Sequence, residues 1–216
     1  MVDDGDKIAV GVSGGKDSLA LLYALSGLRK FYPKKFDIVA LTVNLGFENQ
    51  DFNLIKDFCK NLDVECKIID TEIGDIVFHK RKESNPCSLC AKMRKGSLND
   101  VAKKMGCNKV AYAHHRDDMI ETMLMSLIYE GRFHCFNPVT YLDRMGLNVI
   151  RPMMYVSEMD VIGFANKYNL PVAKNPCPVD GHTKREYIKT LVRQLNRENP
   201  NCKDRLFTAV LNGGFD

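Results

Sequence analysis

Residues 7–18, KIAVGVSGGKDS, constrain the fold more than any other part of this 216-residue chain. An apolar, β-rich run passes straight into glycines, and the glycines pass straight into a helical pattern. That layout opens a βαβ unit and presents backbone N–H groups and a helix amino terminus to an anion. It therefore predicts a phosphate-binding loop over residues 13–18. The loop is not a Walker A motif, which would need Gly at 10 and Ser or Thr at 17, where Val10 and Asp17 stand. Nor is it GxGxxG, because Gly11, Gly14 and Gly15 have the wrong spacing. Asp17 is the unusual residue. A carboxylate beside bound phosphates repels them unless a cation such as Mg²⁺ lies between, or unless it caps the helix from the side. The plainer alternative for the whole segment is a glycine turn capped by Ser13.

Four further β-rich runs, 36–43, 65–70, 109–113 and 148–150, follow the strand expected at 7–12 and alternate with helical patterns. The helices are expected at 16–30, 51–61, 89–105 and 117–129, then at 157–168 and 184–197. In the fourth, Met119, Ile120, Met123, Leu124, Leu127 and Ile128 form one apolar stripe. Such alternation predicts an α/β fold, a parallel sheet with helices on both faces. No repeat or Gly/Pro-rich linker divides the chain, so residues 1–216 read as a single domain with a helical carboxyl segment from about 183 to 216. In open parallel sheets, ligands sit outside the carboxyl ends of the strands, near the switch in strand order. The segments 13–18, 44–47, 114–118 and 151–152 are thus expected to line one crevice.

With 45% hydrophobic and 27% charged residues the chain has the composition of a globular domain, not of a disordered or fibrous one. The longest apolar run, residues 19–25, is far short of the roughly 20 residues a membrane helix needs. The acidic start, MVDDGDK, resembles no signal or transit peptide, so a cytoplasmic protein is expected. The net charge of +4 leaves nucleic-acid binding open.

Eight cysteines in a chain of this kind are expected to stay reduced. Cys59, Cys66, Cys107, Cys135 and Cys202 lie in or beside apolar patterns and read as small buried hydrophobes. Cys87 and Cys90 differ: they form a Cys-x-x-Cys pair at the start of a helix, where the dipole favours thiolate and one metal centre is within reach of both. The sequence has neither a second such pair nor a ferredoxin run. Cys177 sits between Pro176 and Pro178, whose rigidity argues against a core position. Lys92, Arg94 and Lys95 follow the cysteine pair, placing positive charge where a metal centre or a transition-state phosphate would meet it, or on a solvated face. His114, His115, Asp117 and Asp118 lie between a strand and a helix. Asp117 or Asp118 is a candidate for holding Mg²⁺ or acting as a general base, and either is equally a candidate helix cap. Arg185, Lys189, Arg193 and Arg197 recur every four residues and form a basic helix stripe, either solvated or in contact with RNA phosphates.

The hexapeptide SGGKDS after a first strand resembles the PP-loop of ATP-pyrophosphatases, enzymes that cleave ATP between the α and β phosphates. That resemblance implies an adenine-nucleotide α-hydrolase-like fold. ATP would be held with Mg²⁺ by Ser13, Gly14, Gly15, Lys16, Asp17 and Ser18, with Asn44 beside them. The stretch PCSLCAKMRKGSL, residues 86–98, resembles tRNA 2-thiocytidine synthetases of the TtcA type, in a short form. The AHHRDD and ET segments at 113–118 and 121–122, and VIRP at 149–152, resemble the same family. Its members hold a [4Fe-4S] cluster on three cysteines, which here would be Cys87, Cys90 and Cys177. The resemblance implies a tRNA sulfurtransferase that adenylates a base carbonyl, with Asp117, Asp118 and Arg94 as catalytic residues. Its partners would be tRNA and a sulfur donor, either free sulfide or a cysteine desulfurase, with a homodimer also compatible. Alternatives are a thiouridine synthetase, a cluster-free enzyme carrying persulfide on Cys87 or Cys177, and a nucleotide sensor without turnover.

Overall fold

The computed structural model describes residues 1–47, 50–81, 86–173, 177 and 183–213. A six-stranded sheet runs in the order β3-β2-β1-β4-β6-β5. Its strands are β1 (Asp6–Gly11), β2 (Phe36–Asn44), β3 (Glu65–Asp70), β4 (Lys109–Ala111), β5 (Val139–Leu142) and β6 (Leu147–Ile150). All pairings are parallel except that of β5 with β6. The strand order reverses between β1 and β4, which fixes the switch point the sequence pattern requires.

Alternation along β1 builds both faces of the core. Ile8 and Val10 pack on one side against α1 (Lys16–Leu28), through Leu19 and Leu22. Ala9 faces the other way, toward Leu98 and Ala102 of α4 (Pro86–Lys104). Pro86 opens α4 at the position where a missing N–H costs nothing. The first face is completed by Ile55 and Cys59 of α2 (Asn53–Asn61) and by Val161 and Ala165 of α6 (Glu158–Lys167). A separate cluster forms where α5 (Arg116–Glu130) meets α7 (Lys184–Glu198) and α8 (Cys202–Asn212), around Met119, Met123, Ile188, Val192 and Phe207. A short turn of helix, α3 (Ile73–Asp75), runs into a wider π-helical stretch, Ile76–Lys80.

Three sequence expectations need correction. Strand β5 was not anticipated: it is a short edge strand whose apolar side chains Val139 and Tyr141 face outward. The helical carboxyl end is present as expected and consists of two helices, α7 and α8. The apolar stripe of α5 is buried only at Met119, Ile120 and Met123, because α7 and α8 cover its first turns and leave Leu127 and Ile128 exposed. Among the cysteines read as core, Cys59, Cys107 and Cys135 are buried, whereas Cys66 and Cys202 are half-buried. Cys66 lies beside Cys59, and that contact lowers its thiol pKa to about 7. Among the described residues no helix is long and apolar enough to cross a membrane.

Candidate active site

A cavity of about 470 Å³ opens at the carboxyl ends of the central strands, lined from both sides of the switch point. The loop after β1 forms its floor. Gly14 takes a φ of +83°, and a Cβ there would come within 3.3 Å of both Ala173 Cβ and Ile55 Cδ1. Glycine is thus required twice over, by backbone sign and by space. Gly15 is the N-cap of α1 and no side chain caps the helix, so the first-turn N–H groups remain available to a ligand. The loop is held from within: Ser18 Oγ donates to Gly15 O at 2.9 Å, Ser13 N donates to Ser18 Oγ at 3.1 Å, and the Ser13 and Ser18 hydroxyls lie 3.2 Å apart.

Ser13, Gly15, Asp17 and Ser18 line the cavity, and Lys16 beside them pairs with two carboxylates. Lys16 Nζ lies 3.0 Å from Asp17 Oδ1 and 3.2 Å from Glu158 Oε1. Burial works against its charge, but the two carboxylates prevail and raise its pKa. Asp17 does not cap the helix, and its buried Oδ1 makes no hydrogen bond, only ionic contacts to Lys16 and, at 3.7 Å, to His115 Nε2 among the described residues. An oxygen left in that state fits a cation.

A further stretch of the lining is apolar: Leu41, Val43, Leu45, Phe52 and Leu98. Within it Thr42, 2% exposed, has a hydroxyl without a hydrogen-bond partner, and the buried Oε1 of Gln50 also lacks one. Buried polar atoms seldom stay unpaired, so both suit a ligand with its own donors and acceptors. Asn44 stands just outside. Its side chain donates to Asp70 Oδ1 at 2.9 Å and accepts from Gly46 N at 2.9 Å, which organises the ends of β2 and β3.

Helix α4 supplies a third wall through Ala91, Arg94 and Lys95. Cys90, one turn earlier, is buried, and Cys87 is exposed at the helix start. Burial raises the Cys90 thiol pKa; Arg94 pulls it down, and the nearby Cys177 and Cys87 push it up. Cys90 thus sits on the helix that walls the cavity, one turn before Arg94. The prolines flanking Cys177 lie outside the described residues. Among the described residues, no three His, Cys, Asp or Glu side chains are poised to hold one ion.

The last wall follows β4. His114 lines the cavity, and its Nδ1 accepts from Arg151 Nε at 3.2 Å. An arginine Nε–H can only donate, so Nδ1 carries no proton and the ring's N–H is on Nε2. Phe136 stacks on His114 with centroids 4.6 Å apart and lies 4.8 Å from the Arg151 guanidinium. Arg151, 7% exposed, is further held by the carbonyl of Asn137 and by Thr140 Oγ1. Burial, then the charges of Arg151, Lys95 and Arg185, push the His114 pKa down to about 3. The same concavity strips water from Lys95, and with Arg151, Arg94 and Arg185 nearby its pKa is lowered too.

Asp117 and Asp118 separate at the start of α5. Asp118 lines the cavity and forms a capping box with His115, His115 N donating to Asp118 Oδ2 at 3.0 Å. Asp117 is buried on the other side, accepting from Glu158 N at 2.8 Å and Lys203 Nζ at 2.6 Å. Burial alone would raise its pKa; Lys203 and the Glu158 amide lower it.

The basic stripe of α7 is neither purely solvated nor purely an outward face. Arg185 contacts Glu121 at 3.1 Å and Asp118 at 3.4 Å, and Lys189 contacts Glu158 at 2.5 Å. A chain of charge, Lys16–Glu158–Lys189, thus ties the glycine loop to α7. Glu158 and Lys203 were not singled out from sequence. The Ser157–Asp160 capping box marks Glu158 as a first-turn residue, but nothing local signals that it faces Lys16.

Comparison with known proteins agrees with this geometry. Residues 2–196 match a PP-loop domain. The chain is 38% identical to a tRNA-cytidine(32) 2-sulfurtransferase of Geobacter sulfurreducens, across 98% of this chain and 84% of the relative. A protein of the same name from Pelobacter propionicus is 36% identical, across 98% and 80%. Among solved structures, the U34-tRNA thiolase NcsA from Methanococcus maripaludis, determined with its [4Fe-4S] cluster, superposes with a TM-score of 0.80. It shares 26% identity, over 97% of this chain and 72% of that one.

Proposed function

Because the chain belongs to the PP-loop family that includes the tRNA-cytidine(32) 2-sulfurtransferases, we propose that it replaces the C2 oxygen of a tRNA cytidine by sulfur at the expense of ATP. One observation carries the reading. A loop built for phosphates and a helix bearing two cysteines wall the same cavity.

In this reading the triphosphate lies on the 13–18 loop and the nucleoside occupies the apolar stretch, where Thr42 and Gln50 wait for polar partners. Asp17 would hold Mg²⁺, which neutralises the phosphates. The base's C2 carbonyl oxygen attacks the α-phosphorus, the Pα–O bond to the β-phosphate breaks, and pyrophosphate leaves. A sulfur nucleophile such as hydrosulfide then adds at C2. The C2–O bond breaks, AMP departs with the oxygen, and one proton is released. Electrostatic complementarity to the shifting charge dominates such chemistry. Arg94 and Lys95 face the charge that develops on phosphorus, and the neutral His114 offers an Nε2–H to an oxygen without competing as a cation. Asp118, on the cavity wall, is the carboxylate placed to take a proton. Asp117 holds α6 and α8 in place.

Cys87, Cys90 and Cys177 would hold the iron–sulfur cluster. The fit rests on their chemistry: three thiols are the soft ligands an iron–sulfur cluster takes, and Cys87 and Cys90 stand one turn apart on the helix that walls the cavity. Such a cluster, when bound, supplies the iron that carries the sulfur atom. The partners in this reading are tRNA and a sulfide-yielding donor.

The test is to incubate the anaerobically prepared protein with ATP, sulfide and a tRNA bearing cytidine at position 32, then digest to nucleosides for mass spectrometry. Formation of 2-thiocytidine with tRNA-dependent pyrophosphate release is expected. Pyrophosphate release without tRNA, and no thiolated base, would overturn the reading.

A further inference from the structure

One carboxylate stands between the phosphate loop and the carboxyl-terminal helices. Glu158, the first residue of α6, is buried, and a single oxygen of its side chain meets two ammonium groups. Oε1 lies 2.5 Å from Lys189 Nζ of α7 and 3.2 Å from Lys16 Nζ of the loop. The Glu158 backbone N–H donates to Asp117 Oδ2 at 2.8 Å, which anchors the residue independently of both lysines. Burial alone would raise the Glu158 pKa; Lys189 and then Lys16 lower it, so the carboxylate is ionised.

Lys16 carries the positive charge of the 13–18 loop. Two carboxylates hold its ammonium: Asp17, which lines the cavity, at 3.0 Å, and Glu158. A triphosphate on the loop therefore finds that ammonium engaged. A cation at Asp17 removes one competitor, and Glu158 is the other. How firmly Glu158 competes depends on Lys189. An oxygen that already holds one ammonium attracts a second less, because the two ammoniums repel each other. No residue of α7 is among the described residues lining the cavity, so Lys189 reaches a bound nucleotide by contact only through Glu158 and Lys16.

We propose that Glu158 is a positioning residue for the nucleotide: it competes with the phosphates for Lys16, and Lys189 weakens its hold. The proposal rests on the reading that the loop binds ATP. With Lys189 in place, Lys16 passes readily from the carboxylate to the phosphates. After pyrophosphate has left, the same carboxylate takes the ammonium back, and the loop is not left with an unmatched charge. Helix α7 thus helps to set how tightly the loop holds ATP, by way of one side chain and without touching the cavity.

The experiment titrates a non-hydrolysable ATP analogue with Mg²⁺ into the wild-type protein and into Glu158→Gln, Lys189→Met and Lys16→Met. It is repeated with Lys16→Met carrying each of the other two substitutions. Glu158→Gln releases Lys16 and is expected to tighten binding about fivefold. Lys189→Met leaves Glu158 to Lys16 alone and is expected to weaken binding by a similar factor. Partial exposure of Lys16 keeps both effects at the low end of such couplings. In the Lys16→Met background both effects should vanish. That background separates positioning from simple field effects, because a charge acting through space on the phosphates shifts affinity whether or not Lys16 is present. Urea unfolding of each variant reports that it is folded, and Lys189→Met, at a partly exposed side chain, carries the test if Glu158→Gln does not fold. If both single variants weaken binding, or neither changes it, the ion pairs are only a clamp between helices and the proposal is overturned. Either effect persisting without Lys16 overturns it too, and in these cases the ATP reading stands. A wild-type protein that binds no analogue overturns both.

Discussion

His114 offers a quantitative check on the electrostatics of the cavity. Its pKa is pushed from the usual imidazole value of 6.5 to about 3 by burial and by Arg151, Lys95 and Arg185. A group whose folded pKa is depressed stays neutral in the native state while the unfolded chain takes up a proton. Stability from His114 is therefore fully present above pH 6.5 and drains away as pH falls toward 3, at about 1.4 kcal/mol per pH unit. Between pH 7.5 and pH 5.0 the linkage amounts to about 2 kcal/mol. Buried carboxylates such as Asp117 also lose stability in acid, so one protein alone does not isolate the histidine. His114→Gln does: the amide oxygen can still accept from Arg151, and glutamine does not titrate. Urea unfolding followed by circular dichroism at the two pH values is expected to show a smaller acid loss in the variant than in the wild type, by about 2 kcal/mol. Equal losses in the two proteins would mean that His114 titrates normally, and that the cationic wall around it is not as described.

The other consequences are more direct. Asp118→Asn should lower tRNA-dependent pyrophosphate release about 10²- to 10⁴-fold with an unchanged unfolding midpoint, whereas Asp117→Asn should mainly lower the midpoint; the reverse pattern would exchange their roles. Lys203→Ala leaves the buried Asp117 carboxylate without its partner at 2.6 Å. Because Lys203 itself is partly exposed, a loss of about 2 kcal/mol in urea unfolding is expected, less than for a fully buried pair. Gly14→Ala forces a side chain onto a φ of +83° against Ala173 and Ile55. The strain is about 1–2 kcal/mol, and calorimetric titration with a non-hydrolysable ATP analogue should show it as weaker binding.

Much of this was legible in the chain because its signals are local. A strand, a glycine turn and a helix start are written within residues 7–18, and the alternation that follows gives the parallel sheet without long-range information. The structure adds what depends on distant residues meeting. β5 escaped notice because an edge strand needs no inward apolar alternation, although the DRMG turn at 143–146, with Gly146 at a φ of +64°, joins two strand-like runs. Asp117 and Asp118 are indistinguishable in sequence, and only the arrival of Lys203 from α8 and of the Glu158 amide from α6 separates them. Arg185 and Lys189 look like a solvated stripe because helical spacing reports a face and not its neighbours. Asn44 is expected beside the nucleotide by its place at a strand end, yet its amide is occupied by Asp70 and Gly46.

The proposed function has nucleotide activation and sulfur handling share one wall, helix α4, with Cys177 completing the thiol set. Iron and acid-labile sulfide should be quantified in wild-type and Cys177→Ala proteins reconstituted without oxygen, alongside ATP-analogue binding. The expected outcome is about four irons per wild-type chain, a variant that neither retains the cluster nor makes 2-thiocytidine, and equal nucleotide affinity in both. A colourless, iron-free Cys177→Ala protein that thiolates tRNA at the wild-type rate would contradict it.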